Sequence, residues 1–171
     1  MIADPCEVRV KVADYAVAAD GLITTIGLGS CVAIVLYDPV ARVGGLAHVL
    51  LPEESMSRDR TNPAKFPATA VPLVLEQMQK LGALPGRVRA KIAGGASMFS
   101  NFSSSNGGGG GGGGGINIGE RNVAAVRQAL AARRIEIIGE DTGSDHGRSV
   151  YFYLTDGRVE VRSVRKGSRV L

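Results

Sequence analysis

The sequence predicts an α+β fold, a layered sandwich of mixed, largely antiparallel β-sheet with two main helices. Short runs rich in β-branched and aromatic residues recur along the chain between Gly, Pro, Asp and Asn. Only two segments carry helical apolar spacing over a useful length, at about 67–81 and 119–133. Many strands with two separated helices imply α+β layering. With 171 residues, 44% of them hydrophobic, the chain has the size of one ordinary globular domain, so residues 1–171 are expected to share one core.

The elements follow in order. Glu7 to Val12 alternates charged and apolar residues, and Tyr15 to Ala18 and Leu22 to Ile26 read as short strands. Val32 to Tyr37 and Val43 to Leu51 flank Asp38-Pro39-Val40-Ala41, which has Asp at the first and Pro at the second position of a type I turn. That is a β-hairpin. A turn centred on Pro39 and Val40 sets Tyr37 opposite Arg42 and Cys31 opposite His48, with Cβ atoms about 4.5–5.5 Å apart.

A polar loop from Glu53 to Lys65 leads into a helix from about Pro67 to Leu81. Val71, Val74 or Leu75, Met78 and Leu81 share one face, and Gly82 is its stop. Pro72 is expected in the first turn or at a bend. Arg89 to Ala93 reads as a buried strand ending at Gly94-Gly95. Residues 103–115 close on nine consecutive glycines, Gly107 to Gly115; such a segment packs no core and is expected to be a flexible loop. The second helix, from about Gly119 to Arg133, places Val123, Val126 and Leu130 on one face. Ile135 to Gly139, Ser149 to Leu154 and Arg158 to Val164 supply the last strands, the latter two joined through Thr155-Asp156-Gly157.

Charge and composition exclude several classes. Twenty Lys and Arg against sixteen Asp and Glu give +4, spread thinly along the chain. The basic stretch Arg158 to Arg169 alternates like a strand and reads as a solvated face, so nucleic-acid binding is not expected. No apolar run reaches membrane-spanning length and the N-terminus lacks the regions of a signal peptide, so a cytoplasmic location is expected. With two histidines, His48 and His146, and no CxxC or HExxH spacing, no metal site is expected. The glycine motifs lack the context of a nucleotide loop, and no cofactor is implied. Two cysteines are too few for a disulfide framework; Cys6 reads as incidental, in a mobile tail.

Cys31 is different. It follows the glycine-rich turn Gly27-Leu28-Gly29-Ser30, where backbone N–H groups approach closely, and His48 is near enough to hold it as a thiolate. The pairing points to a thiol enzyme. On spacing alone the alternative is a small buried cysteine and a core histidine satisfied by a carbonyl.

Further motifs extend the pattern. Thr25-Ile26-Gly27-Leu28-Gly29-Ser30-Cys31-Val32, Asp38-Pro39, Val43-Gly44-Gly45-Leu46-Ala47-His48 through Pro52, Lys91 to Phe99, Ile118-Gly119-Glu120-Arg121-Asn122-Val123, and Asp141-Thr142-Gly143 with Gly147-Arg148 resemble, in order, the chemoreceptor glutamine deamidase family CheD. The resemblance covers nearly the whole chain. It departs at the glycine tract and at Ser144, where the family usually has a second glycine.

The resemblance implies hydrolysis of glutamine side chains on methyl-accepting chemotaxis receptors to glutamate, with release of ammonia. By position it makes Cys31 the nucleophile, His48 the general base and acid, and Thr25 the group that orients His48. Alternation along the strand lets only one of Thr24 and Thr25 face the site, and the motif register selects Thr25. The implied partners are the cytoplasmic helical region of the receptors and a CheC-type phosphatase, with membrane association only through receptors. A non-catalytic adaptor binding that phosphatase, or another thiol amidohydrolase, are the competing readings.

Overall fold

The computed structural model describes residues 6–98 and 117–171. The glycine tract and its predicted loop lie outside these residues.

Two five-stranded sheets form the core. The first has the order β1 (Glu7–Arg9), β3 (Leu22–Leu28), β8 (Arg148–Tyr153), β9 (Val159–Ser163), β10 (Gly167–Val170). The second has the order β2 (Tyr15–Ala18), β5 (Val43–Val49), β4 (Val32–Asp38), β6 (Arg89–Gly94), β7 (Ile137–Thr142). Pairing is antiparallel except for β1 with β3 and β6 with β7. Helices α1 (Pro67–Lys80) and α2 (Ile118–Ala132) cover one face of the second sheet, and the first sheet covers the other. The predicted α+β sandwich is therefore observed, in three layers.

Strand β4 divides its side chains between the layers. Val32, Ile34 and Leu36 pack toward the helices, while Cys31, Ala33 and Val35 join Ile23, Val150 and Phe152 between the sheets. The period of two makes this division, and apolar residues at both phases bury the strand on both faces except at partly exposed Tyr37.

Helix α1 begins at Pro67 and ends as its glycine predicts. Gly82, at φ +99°, donates to the Gln79 carbonyl and Ala83 to that of Met78, closing the left-handed cap. Val71, Val74, Leu75 and Met78 are buried, but Leu81 is the cap residue and half exposed. Pro72 lies past the first turn. Helix α2 is capped by Asn117, whose Oδ1 accepts from the Glu120 N–H at 3.1 Å.

Several local expectations are corrected. β7 begins two residues later than Ile135 because the helix end still holds that residue: after Arg134 at φ +56°, Ile135 N–H donates to the Leu130 carbonyl at 3.0 Å. The C-terminal basic stretch is a hairpin, β9 to β10, rather than one strand. Cys6 is not in a loose tail, since its carbonyl accepts from Leu22 N–H at 3.1 Å at the edge of β3.

The hairpin of β4 and β5 has a wider turn than predicted. Asp38 pairs with Val43, Tyr37 with Gly44, and Ala33 with His48. Buried Asp38 is the cause. Its Oδ1 accepts from the N–H groups of Val40 and Ala41, and Arg87 and the Leu84 N–H bind the same carboxylate. The chain turns through four residues and leaves by Arg42 at φ +56°. Cys31 is consequently not directly opposite His48. A two-residue slip preserves the face, so Cys31 stands diagonal to His48 on the surface toward the first sheet.

Candidate active site

Thr25 and His48 meet where an apolar interface would be expected, and Cys31 stands on the same face diagonal to the histidine. Thr25 comes from β3 in one sheet, His48 from β5 in the other, and Cys31 from the turn entering β4. Thr25 and His48 are wholly buried, whereas Cys31 retains 8% exposure. Cys31 is thus the residue of the three that solvent reaches.

Strand alternation separates the two threonines. Thr24 Oγ1 donates to Glu7 Oε1 at 2.9 Å, on the face away from the second sheet. Thr25 Oγ1 lies 2.7 Å from His48 Nδ1 across the gap between sheets. A β-bulge follows immediately: Ile26 and Gly27, at φ +78°, stand opposite the single residue Ser149. Alternation already faces Ile26 outward, and the extra residue of the bulge returns Leu28 to the core before the cysteine turn.

The segment that crosses from the first sheet to the second holds this pair. Thr25 Oγ1 donates to the Val10 carbonyl at 2.8 Å. Ala13 N–H donates to the His48 carbonyl at 2.8 Å, and His48 N–H donates to that of Asp14 at 3.0 Å. The histidine is therefore fixed by its backbone and by one ring nitrogen.

These bonds determine the tautomer. A hydroxyl has one proton, and the Val10 carbonyl only accepts, so that proton is committed to Val10. The contact with His48 then has Nδ1–H donating to Thr25 Oγ1. Nε2 is left bare, and it is buried with no hydrogen-bond partner among the described residues. A lone pair in that condition is available to take a proton.

Electrostatics set the resting protonation of both groups. Burial lowers the imidazole from its ordinary 6.5 to about 4, because nothing nearby compensates the charged form. Burial also raises the Cys31 thiol, outweighing the opposite pull of its own backbone N–H. At neutral pH the pair is thiol and imidazole. A standing thiolate, as the spacing alone suggests, is not what these surroundings favour.

The cysteine turn is tied down on both sides. Gly95 N–H donates to the Cys31 carbonyl at 2.8 Å and Ala96 N–H to that of Gly29 at 2.9 Å. Gly94, at φ +114°, makes this approach sterically feasible, since a Cβ there would sit 2.2 Å from the Cys31 oxygen. Asn122 of α2 donates to the Ser30 carbonyl at 2.9 Å and to that of Leu50 at 3.1 Å.

The amino-acid sequence carried a signal for Asn122 that periodicity alone passed over. It lies four residues before Val126 and eight before Leu130, on the buried stripe of α2, where an amide is anomalous. His146, the other histidine, is buried elsewhere and lies 3.0 Å from Ser163 Oγ. Among the described residues, no group of three His, Cys, Asp or Glu gathers to hold a metal ion, and no helix is long and apolar enough to cross a membrane.

Comparison with known proteins places these residues in context. Residues 50–163 match the family model described as CheD chemotactic sensory transduction. That segment begins just after His48, but full-length relatives extend across the whole site. A protein of Desulforamulus reducens is 40% identical over 166 residues, covering 96% of this chain and 95% of the relative. One from Caldanaerobacter subterraneus subsp. tengcongensis is 44% identical over 164 residues, covering 95% and 96%. One from Thermococcus kodakarensis is 45% identical over 162 residues, covering 94% and 95%. Each of the three is named probable chemoreceptor glutamine deamidase CheD.

Proposed function

The chain belongs to the CheD family, and from that premise we propose that it deamidates glutamine side chains of methyl-accepting chemotaxis receptors by a Cys31-His48-Thr25 thiol mechanism. The observation that supports catalysis over a purely adaptor role is the bare, buried Nε2 of His48, held in that tautomer through Thr25 and Val10. An adaptor gains nothing from an unpaired nitrogen in its interior, which costs stability.

The chemistry follows from the neutral pair. As the Cys31 sulfur attacks the glutamine Cδ, His48 Nε2 takes the thiol proton, and the carbonyl oxygen becomes an oxyanion. Backbone N–H groups of the Ser30-Cys31 turn are the donors nearest that oxygen in this scheme. The tetrahedral intermediate collapses with transfer of the proton from His48 to the departing nitrogen, releasing ammonia and leaving a thioester. Water, deprotonated by the same Nε2, then cleaves the thioester to glutamate and regenerates the thiol. Thr25 keeps the ring oriented throughout, accepting from Nδ1–H as aspartate does in other triads but without its negative charge.

The substrate region is the receptors' cytoplasmic helical part, and the protein works in the cytoplasm, reaching the membrane only through receptors. A CheC-type phosphatase is the second partner of this reading. The test is to incubate the protein with a receptor cytoplasmic fragment and follow ammonia release and the glutamine-to-glutamate mass change, beside Cys31→Ala. Deamidation by the native chain and none by Cys31→Ala is expected. Activity surviving in Cys31→Ala would sink the thiol mechanism; phosphatase binding with no deamidation by either protein would favour the adaptor.

A further inference from the structure

The ladder between β4 and β5 ends at the rung Val32–Val49, one residue short of the cysteine. The next rung would join Cys31 to Leu50. In its place stands a side chain from another layer: Asn122 Nδ2 donates to the Ser30 carbonyl, immediately before Cys31, and to the Leu50 carbonyl, two residues after His48. An amide nitrogen has two protons, and both are committed. One nitrogen thus ties together the chain entering the nucleophile and the chain leaving the base.

The clip is anchored. Gly119, one turn earlier on α2, packs so closely on the 95–96 backbone that a Cβ would come 2.3 Å from the Ala96 oxygen. The same short segment holds the Gly29 and Cys31 carbonyls. Helix α2, the end of β6 and the cysteine turn are therefore held together, with Asn122 the side chain that couples them to Leu50.

Asn122 is also poorly suited to packing alone. It is wholly buried, and its Oδ1 has no hydrogen-bond partner among the described residues. An aliphatic side chain in the same stripe avoids burying an unpaired oxygen.

We propose that Asn122 is a positioning residue of the thiol site, setting the separation of the Cys31 sulfur from His48 Nε2. This rests on the Cys31–His48 reading above. The clip acts through the backbone: a thiol diagonal to its base exchanges a proton only if the two strand ends stay in register, and beyond Val32–Val49 no ladder bond holds them.

The test uses the full chain carrying Cys6→Ser, so that Cys31 is the one thiol. Asn122→Ala removes both bonds, and Asn122→Asp keeps the shape while removing both donors. Iodoacetamide alkylation of Cys31 is followed against pH, beside His48→Ala, together with kcat, KM on the receptor fragment, and Tm. Expected is a fall of roughly tenfold or more in kcat and in neutral-pH alkylation for both Asn122 variants, with KM little changed. The alkylation profile should move toward that of His48→Ala.

Three results overturn the proposal. These are a folded variant with the native alkylation profile and kcat, losses that merely follow Tm, or failure of both variants to fold, which would make Asn122 structural. Alkylation needs no receptor, so a wrong substrate leaves this readout intact. If His48→Ala itself alkylates like the native chain, it is the Cys31–His48 reading that fails.

Discussion

His48 owes its chemistry to what surrounds it rather than to what touches it. Desolvation keeps the ring neutral, and the single proton of the Thr25 hydroxyl, given to Val10, decides which nitrogen carries the ring's hydrogen. Thr25→Val preserves the shape of the side chain but leaves both Nδ1–H and the Val10 carbonyl unpaired. Its kcat is expected to fall roughly ten- to a hundredfold, within the range that a positioned proton-transfer group contributes, while Thr25→Ser stays near the native value. Steady-state assays of the two variants check this; equal activity in Thr25→Val removes the orienting role. Cys31 and His48 are candidates from motif and spacing, Thr25 from the family resemblance, and the structure sets Thr25 against His48. The tautomer was not legible in the chain, because it depends on the Val10 carbonyl, a backbone atom with no signature in sequence.

At the scale of the element, β5 shows why a strand may need glycine. Gly44 faces the first sheet, where a Cβ would lie 2.5 Å from Phe152 Cζ and 2.8 Å from Leu154 Cδ2. Gly45 faces α1, where a Cβ would lie 2.5 Å from Val74 Cγ1. Adjacent residues of one strand thus bring the layers on either side close to the backbone at the start of the strand that carries His48. Gly44→Ala should destabilise the fold by about 1–3 kcal/mol through overpacking, seen as a lowered denaturation midpoint; an unchanged midpoint would mean that the sheets separate freely at this rung. The hairpin that β5 shares with β4 was legible as a hairpin, and both strands were found within two residues. Its register was not, since the width of the turn follows from Arg87 and Leu84 holding Asp38, nearly fifty residues away.

For the whole molecule, placing a histidine between two sheets makes stability depend on pH. Its pKa is lowered on folding, so below 6.5 the unfolded chain binds the proton first, and the fold loses stability as pH falls from about 6.5 toward 4. Above that window the neutral ring contributes no such slope. A shift of this size corresponds to about 3 kcal/mol across the window. Denaturant titrations should show the native chain losing stability there and His48→Gln losing less; parallel curves would mean that the ring is not desolvated.

The α+β class, the two helices with the Gly82 stop, most strands, and Cys31 and His48 as candidates could be read from the chain alone. All of these rest on periodicity, turn chemistry and local motifs, which act over a few neighbours. The tertiary structure alone decided the diagonal placement of Cys31 and His48, the bare Nε2, the neutral state of the pair and the Asn122 clip. Each requires groups distant in sequence to meet, and side-chain spacing along a chain holds no measure of desolvation or of such a partner.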